Sequence, residues 1–162
     1  MSKLICLTRE QVTIVDDENY EWLSQWKWYA RKDGSGCYRA CRGVGSPPKH
    51  LFMHRQILKA PQSKMVDHKN HNTLDNRKRN LRLCTNTQNQ QNQLVRATGT
   101  SRYKGVCLHK ASCKWQAQIK INGKDCYIGI FKKEENAARA YDKKAREIFG
   151  EFAKLNFEEI EE

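Results

Sequence analysis

Apolar residues in the first sixty positions come in short runs: Leu4-Ile5-Cys6-Leu7, Val12-Thr13-Ile14-Val15, Trp26-Lys27-Trp28-Tyr29 and Cys37-Tyr38-Arg39-Ala40-Cys41. Short runs bounded by turn formers predict strands. Asp16-Asp17-Glu18 ahead of Tyr20, Trp22 and Leu23 predicts a short helix, with acids at the end where the helix dipole favours them. That helix would cover one face of the sheet, and Trp22, Trp26 and Trp28 are expected in the core rather than as a base-stacking platform. Arg42-Gly43-Val44-Gly45-Ser46-Pro47-Pro48 lacks periodicity and reads as a loop, after which Leu51 to Leu58 resumes an apolar pattern.

The pattern changes at residues 65 to 95. Met65-Val66 leads into Asp67-His68, a polar turn follows, and Leu81-Arg82-Leu83-Cys84 reads as a second strand running into an Asn- and Gln-rich helix. From Arg96 to Arg102 the side chains between the basic residues are small or polar, as in a linker. Beyond it three strands are expected, within 102–108, 113–121 and 124–131, with Asn122-Gly123 as a hairpin turn. In the middle strand Trp115, Ala117 and Ile119 face one way while Gln116, Gln118 and Lys120 face the other. A helix from Glu134-Glu135 to Gly150 places Ala137, Tyr141, Ala145 and Ile148 on one stripe, and the acidic tail 158–162 is expected to fray.

Composition bounds the reading. The 162 residues carry 30 Lys and Arg against 18 Asp and Glu, a net charge of +12, with 38% hydrophobic residues, which suits two small cores better than one large one. A positive excess spread along the chain attracts polyanions, so nucleic acid is the leading partner. No long uncharged apolar run supports a membrane partner, and the polar N-terminus lacks a secretory signal, so the protein is expected to work inside a cell. Seven cysteines, an odd count without a Cys-x-x-Cys pair, fit reduced thiols; a zinc site around Cys37 and Cys41 is conceivable, yet the gap is loose and no second pair follows at finger spacing.

Hydrolysing a phosphodiester requires a base to deprotonate water and a cation to stabilise charge on the phosphate and the departing oxygen. The succession Val66-Asp67-His68, Asp75-Asn76 and Asn80-Leu81-Arg82, followed by Asn86-Thr87-Gln88-Asn89-Gln90-Gln91-Asn92, resembles over residues 54–92 the HNH nuclease family, in the branch of phage and intron homing endonucleases, whose pattern ends in Gln-x-x-Asn. The resemblance implies a ββα-metal motif at about 65–93, with His68 as general base and Asn80 bracing the loop that holds it. Asp67 and Asn89 would be ligands of a divalent metal. Two hard oxygen donors favour Mg2+, with Mn2+ as the substitute. Taken singly each residue has a structural explanation, Asn80 as a helix cap for example; Asn86 is also a cap candidate, and Asn92 lies close enough to compete with Asn89. His71 is expected to face solvent and His54 to pack near the site.

Tyr103-Lys104-Gly105-Val106, Trp115-Gln116-Ala117-Gln118-Ile119, Tyr127-Ile128-Gly129-Ile130-Phe131, Ala137-Ala138-Arg139-Ala140-Tyr141-Asp142 and Leu155-Asn156-Phe157 resemble the APETALA or ethylene-response-factor DNA-binding domain. That family lays its sheet in the major groove, which implies base-contact positions at Lys104, Gln118, Lys120 and Tyr127, with Arg102, Gln116 and Lys124 close by. Arg77, Arg79 and Arg82 are further candidate DNA contacts in the catalytic half. The expected fold is α+β: a nuclease domain at 1–95, β-rich over 1–60, a linker at 96–102, and a reader at 103–157 with a three-stranded antiparallel sheet packed on one helix. The expected function is site-specific cleavage of double-stranded DNA with no protein partner required, giving 5′-phosphate and 3′-hydroxyl ends. The alternative is a non-enzymatic transcriptional regulator; RNA binding is weaker, because no aromatic ribonucleoprotein signature occurs.

Overall fold

β1 (Ser2–Cys6) and β2 (Val12–Asp16) form an antiparallel hairpin with Leu4 opposite Ile14, and the alternation buries Ile5, Thr13 and Val15 on one side. The computed structural model describes residues 1–34, 36–93 and 99–157, and the chain divides into two compact units between Asn86 and Thr87. Residues 96–98 of the expected linker and the acidic tail 158–162 lie outside the described residues.

In the first unit β2 runs directly into α1 (Asp17–Ser24), whose first turn carries Asp17 and Glu18. Leu23 near its end is fully buried, and its carbonyl accepts a 2.8 Å hydrogen bond from the Trp28 indole, satisfying a donor that burial would otherwise strand. β3 (Tyr29–Lys32), β4 (Tyr38–Val44) and β5 (Lys49–Phe52) form an antiparallel sheet in that order, and α2 (Met53–Ile57) follows at once. Ile5, Val15, Leu23, Trp28, Ala40, Met53, Ile57 and Leu81 make the core. A buried side chain the size of Leu23 or Met53 contributes about 1.5–3 kcal/mol.

Three sequence expectations are corrected in this unit. The strand expected at 26–29 begins at Tyr29. Trp26 is 47% exposed, with the Arg42 guanidinium 3.9 Å above its ring, so a cation–π contact takes the place of core packing. The expected loop 42–48 starts later, because β4 continues through Val44 and β5 resumes at Lys49.

β6 (Met65–His68) pairs antiparallel with β7 (Leu81–Cys84), with Asp67 opposite Arg82 and His68 opposite Leu81. A single 3-10 turn, Lys78–Asn80, precedes β7, and α3 (Asn86–Gln91) follows it.

In the second unit β8 (Val106–His109), β9 (Lys114–Ile121) and β10 (Lys124–Phe131) form an antiparallel sheet in the order β10-β9-β8, against which α4 (Glu134–Phe149) packs. Asn122 and Gly123 both have positive φ, +50° and +81°, as a two-residue hairpin turn with the right twist requires. Gly105, at φ +74°, lies so close to α4 that a Cβ there would run into the Tyr141 ring and the Gln118 carbonyl. Ile148 is exposed rather than on the buried stripe; Ala138 and Asp142 join Ala137, Tyr141 and Ala145 instead. The buried Asp142 carboxylate accepts from the Asn156 backbone and side chain, both at 2.9 Å, and from the Phe157 N–H at 3.0 Å, which is what the Leu-Asn-Phe motif does.

Candidate active site and nucleic-acid face

β6 carries Asp67 and His68 as consecutive residues, 7% and 6% exposed. The turn behind them is built from amide side chains. Asn80 Oδ1 accepts the Asn70 N–H at 3.0 Å, its Nδ2 donates to the Asp75 carbonyl at 2.7 Å, and its own carbonyl accepts the Lys69 N–H at 2.9 Å. Asn80 therefore closes the loop that follows His68. Asn70, Asn72 and Asp75 continue the lacing: Asn70 Nδ2 donates to Asp75 Oδ2 at 2.9 Å, and the Asn72 and Leu74 N–H groups donate to Asn70 Oδ1 and Asn72 Oδ1. Each bond satisfies a loop group that no strand partner serves.

The His68 ring meets the His54 ring edge to face, with centroids 5.2 Å apart, and His54 stacks on Phe52 at 5.6 Å. Burial is the main reason both imidazoles sit below their ordinary pKa. His54 is pushed down to about 3, helped by the charges of His68, Arg39 and Arg55. For His68 the Asn76 hydrogen bond and the Asp67 and Asp75 charges pull upward and Arg39 downward, with burial prevailing. A lowered value keeps the imidazole neutral, and hence able to accept a proton, around pH 7. His71 is half-buried rather than solvent-facing, at φ +63° in the polar turn.

Arg77 and Arg82, expected as DNA contacts, each pair with a carboxylate of this unit. Arg82 Nε and Nη2 reach Asp67 Oδ2 at 2.9 and 2.8 Å, with both side chains under 10% exposed, because cross-strand register sets them face to face. Arg77 grips Asp75 through Nε at 2.7 Å and Nη2 at 2.6 Å, which holds that carboxyl below the usual carboxylate range. Arg79 is exposed.

The donor chemistry beside His68 is oxygen: the Asp67 carboxylate, the Asn amides and the loop carbonyls. Among the described residues no three of His, Cys, Asp and Glu converge as a metal-holding group. Amide and carbonyl oxygens of the loop, with the Asp67 carboxylate, are the oxygen donors on these elements. Such a donor set fits a hard divalent cation that keeps part of its hydration. Asn89 sits half-buried on α3, in the second unit.

In the second unit Gln116, Gln118 and Lys120 share one face of β9, and Tyr127 stands opposite Gln118 on β10, 64% exposed. Gln116 Nε2 donates to Gln118 Oε1 at 3.1 Å, and Lys120 lies 3.6 Å from Asp125. Lys124 is exposed at the hairpin end opposite Ile121. Arg102 is exposed beside Tyr103, and its neighbour Ser101, from the stretch read as linker, is buried and donates to Glu134 at 2.7 Å. Lys104, another expected base-contact position, is engaged within the unit. Its ammonium donates to the Gln91 and Gln93 carbonyls, and burial together with the Lys154 charge pushes its pKa down to about 8.

Comparison with known proteins agrees with this geometry. A model of the HNH endonuclease family matches residues 59–91. An uncharacterized HNH endonuclease of Acanthamoeba polyphaga mimivirus is 36% identical over 136 residues, covering 83% of this chain and 68% of that protein. The chain belongs to the HNH endonuclease family. Its C-terminal part is similar to plant proteins: APETALA2-like protein 2 of Oryza sativa subsp. indica, 42% identical over 64 residues, and an AP2-like ethylene-responsive transcription factor of Arabidopsis thaliana, 47% identical over 62. These matches cover 38% and 37% of this chain and only 14% and 11% of the plant proteins. The protein is thus a nuclease of a divalent-metal class, and DNA is the partner that both segments imply. Among the described residues no helix is long and apolar enough to cross a membrane.

Proposed function

We propose that the protein is a site-specific, homing-type DNA endonuclease, with a nuclease domain at 1–95 containing a ββα-metal motif and a reader at 103–157. The observation that carries the proposal is the buried imidazole of His68, next in sequence to Asp67, at the head of a loop closed by Asn80. His68 takes a proton from water as its oxygen bonds to phosphorus; the P–O3′ bond breaks, and the 3′-oxygen takes up a proton from solvent. The products carry 5′-phosphate and 3′-hydroxyl. Asp67 and Asn89 would hold Mg2+ or Mn2+, which when bound stabilises negative charge on the phosphate and the leaving oxygen. Gln116, Gln118, Lys120, Lys124, Tyr127 and Arg102, with Arg79 in the nuclease half, would meet DNA. The Gln side chains suit adenine edges and the basic ones guanine or phosphate. Arg77 and Arg82 brace the carboxylates.

Incubation with supercoiled plasmid and Mg2+ tests the proposal. Nicked or linear circles are expected with the metal and none with excess chelator; equal cutting in both arms would refute metal dependence.

A further inference from the structure

Behind the His68 ring lie two side chains in series, Asn76 and Thr13, whose hydrogen-bond polarity is set at the far end by a backbone carbonyl. The Leu74 carbonyl can only accept, and the Thr13 hydroxyl donates its one proton to it at 2.7 Å. Thr13 Oγ1 is then left as an acceptor, so the Asn76 group 2.7 Å away must be its amide Nδ2. That fixes which way the amide points, with Oδ1 turned to His68 Nε2 at 3.4 Å. An amide oxygen cannot donate, so Nε2 carries the ring proton and the lone pair resides on Nδ1. Thr13 and Asn76 are both fully buried.

We infer that Thr13 and Asn76 are positioning residues that hold the His68 imidazole in its Nε2–H form, presenting Nδ1 as the basic nitrogen. The backbone already ties β2 to this loop, through Ile14 N to Leu74 O at 2.9 Å and Asn76 N to Ile14 O at 2.8 Å. The side-chain relay is therefore not needed to dock the hairpin. An apolar pair of similar volume would fill the same space without two buried polar groups whose satisfaction has to be arranged. What the relay adds is direction. Its catalytic consequence rests on the reading of His68 as general base; the tautomer assignment does not.

The test combines ring 15N shifts of His68 with single-turnover cleavage and DNA affinity for the wild type, Thr13→Val and Thr13→Ser. The wild-type spectrum at neutral pH is expected to show a protonated Nε2 and an unprotonated Nδ1. Thr13→Val keeps the volume but removes the acceptor, so the amide is freed to flip. The two tautomers should then mix, and the cleavage step should slow by roughly tenfold or more at unchanged DNA affinity. Thr13→Ser should restore both. A wild-type spectrum with Nδ1 protonated overturns the inference without any variant, as does a Thr13→Val spectrum identical to wild type. A spectrum that responds while the rate does not would uphold the relay and count against His68 as the base.

Discussion

His68→Ala should slow DNA cleavage by roughly 10²- to 10⁴-fold, the range a positioned general base contributes, while leaving DNA affinity nearly unchanged. The asymmetry follows from burial. His68 is 6% exposed, so its removal takes little from any surface DNA can touch, whereas the candidate base-contact residues lie on a separate unit. Burial also favours the uncharged ring, which leaves the candidate base able to accept a proton near pH 7. The His54 imidazole is turned edge to face against His68 and stacked on Phe52, and burial pushes its pKa down to about 3. Single-turnover rates and equilibrium binding on one duplex measure both quantities; cleavage retained within a few-fold would refute the assignment.

Asp67→Ala should do more than silence the enzyme. The Arg82 guanidinium, 9% exposed, would lose the carboxylate that both Nε and Nη2 meet, and breaking a buried pair from one side costs roughly 3–5 kcal/mol. Denaturant unfolding should show that loss. Replacing both partners, Asp67→Ala with Arg82→Met, should recover much of the stability and none of the cleavage, because the charge to be compensated is gone while the candidate metal ligand is still missing. Recovered cleavage in the double variant would show that Asp67 serves folding alone.

Most of the elements can be read in the sequence because their signals are local. Short apolar runs bounded by turn signals located β1 and β2, alternation assigned the two faces of β9, the Asn122-Gly123 pair located the hairpin, and Glu134 to Gly150 bounded α4. Local patterning fails where partners are distant. Trp26 reads as core until Arg42, sixteen positions on, covers its ring. For Arg77, Arg82 and Lys104 charge alone does not reveal the protein partner each has, a carboxylate or a pair of carbonyls at a helix end. The Asp67–Arg82 pair could have been found by writing out the β6–β7 register and noticing opposite charges face to face. Thr13 offered no such handle. It sits 63 positions from Asn76 in an ordinary strand, and only the folded chain brings its hydroxyl behind the histidine.

The most direct measurement is the fate of the attacking oxygen. Cleavage of a defined duplex by the wild-type protein with Mg2+ in ¹⁸O-enriched water should place one ¹⁸O on each newly formed 5′-phosphate, opposite an unlabelled 3′-hydroxyl. Label on a 3′-phosphate, or cut ends carrying no label, would contradict water activation at His68.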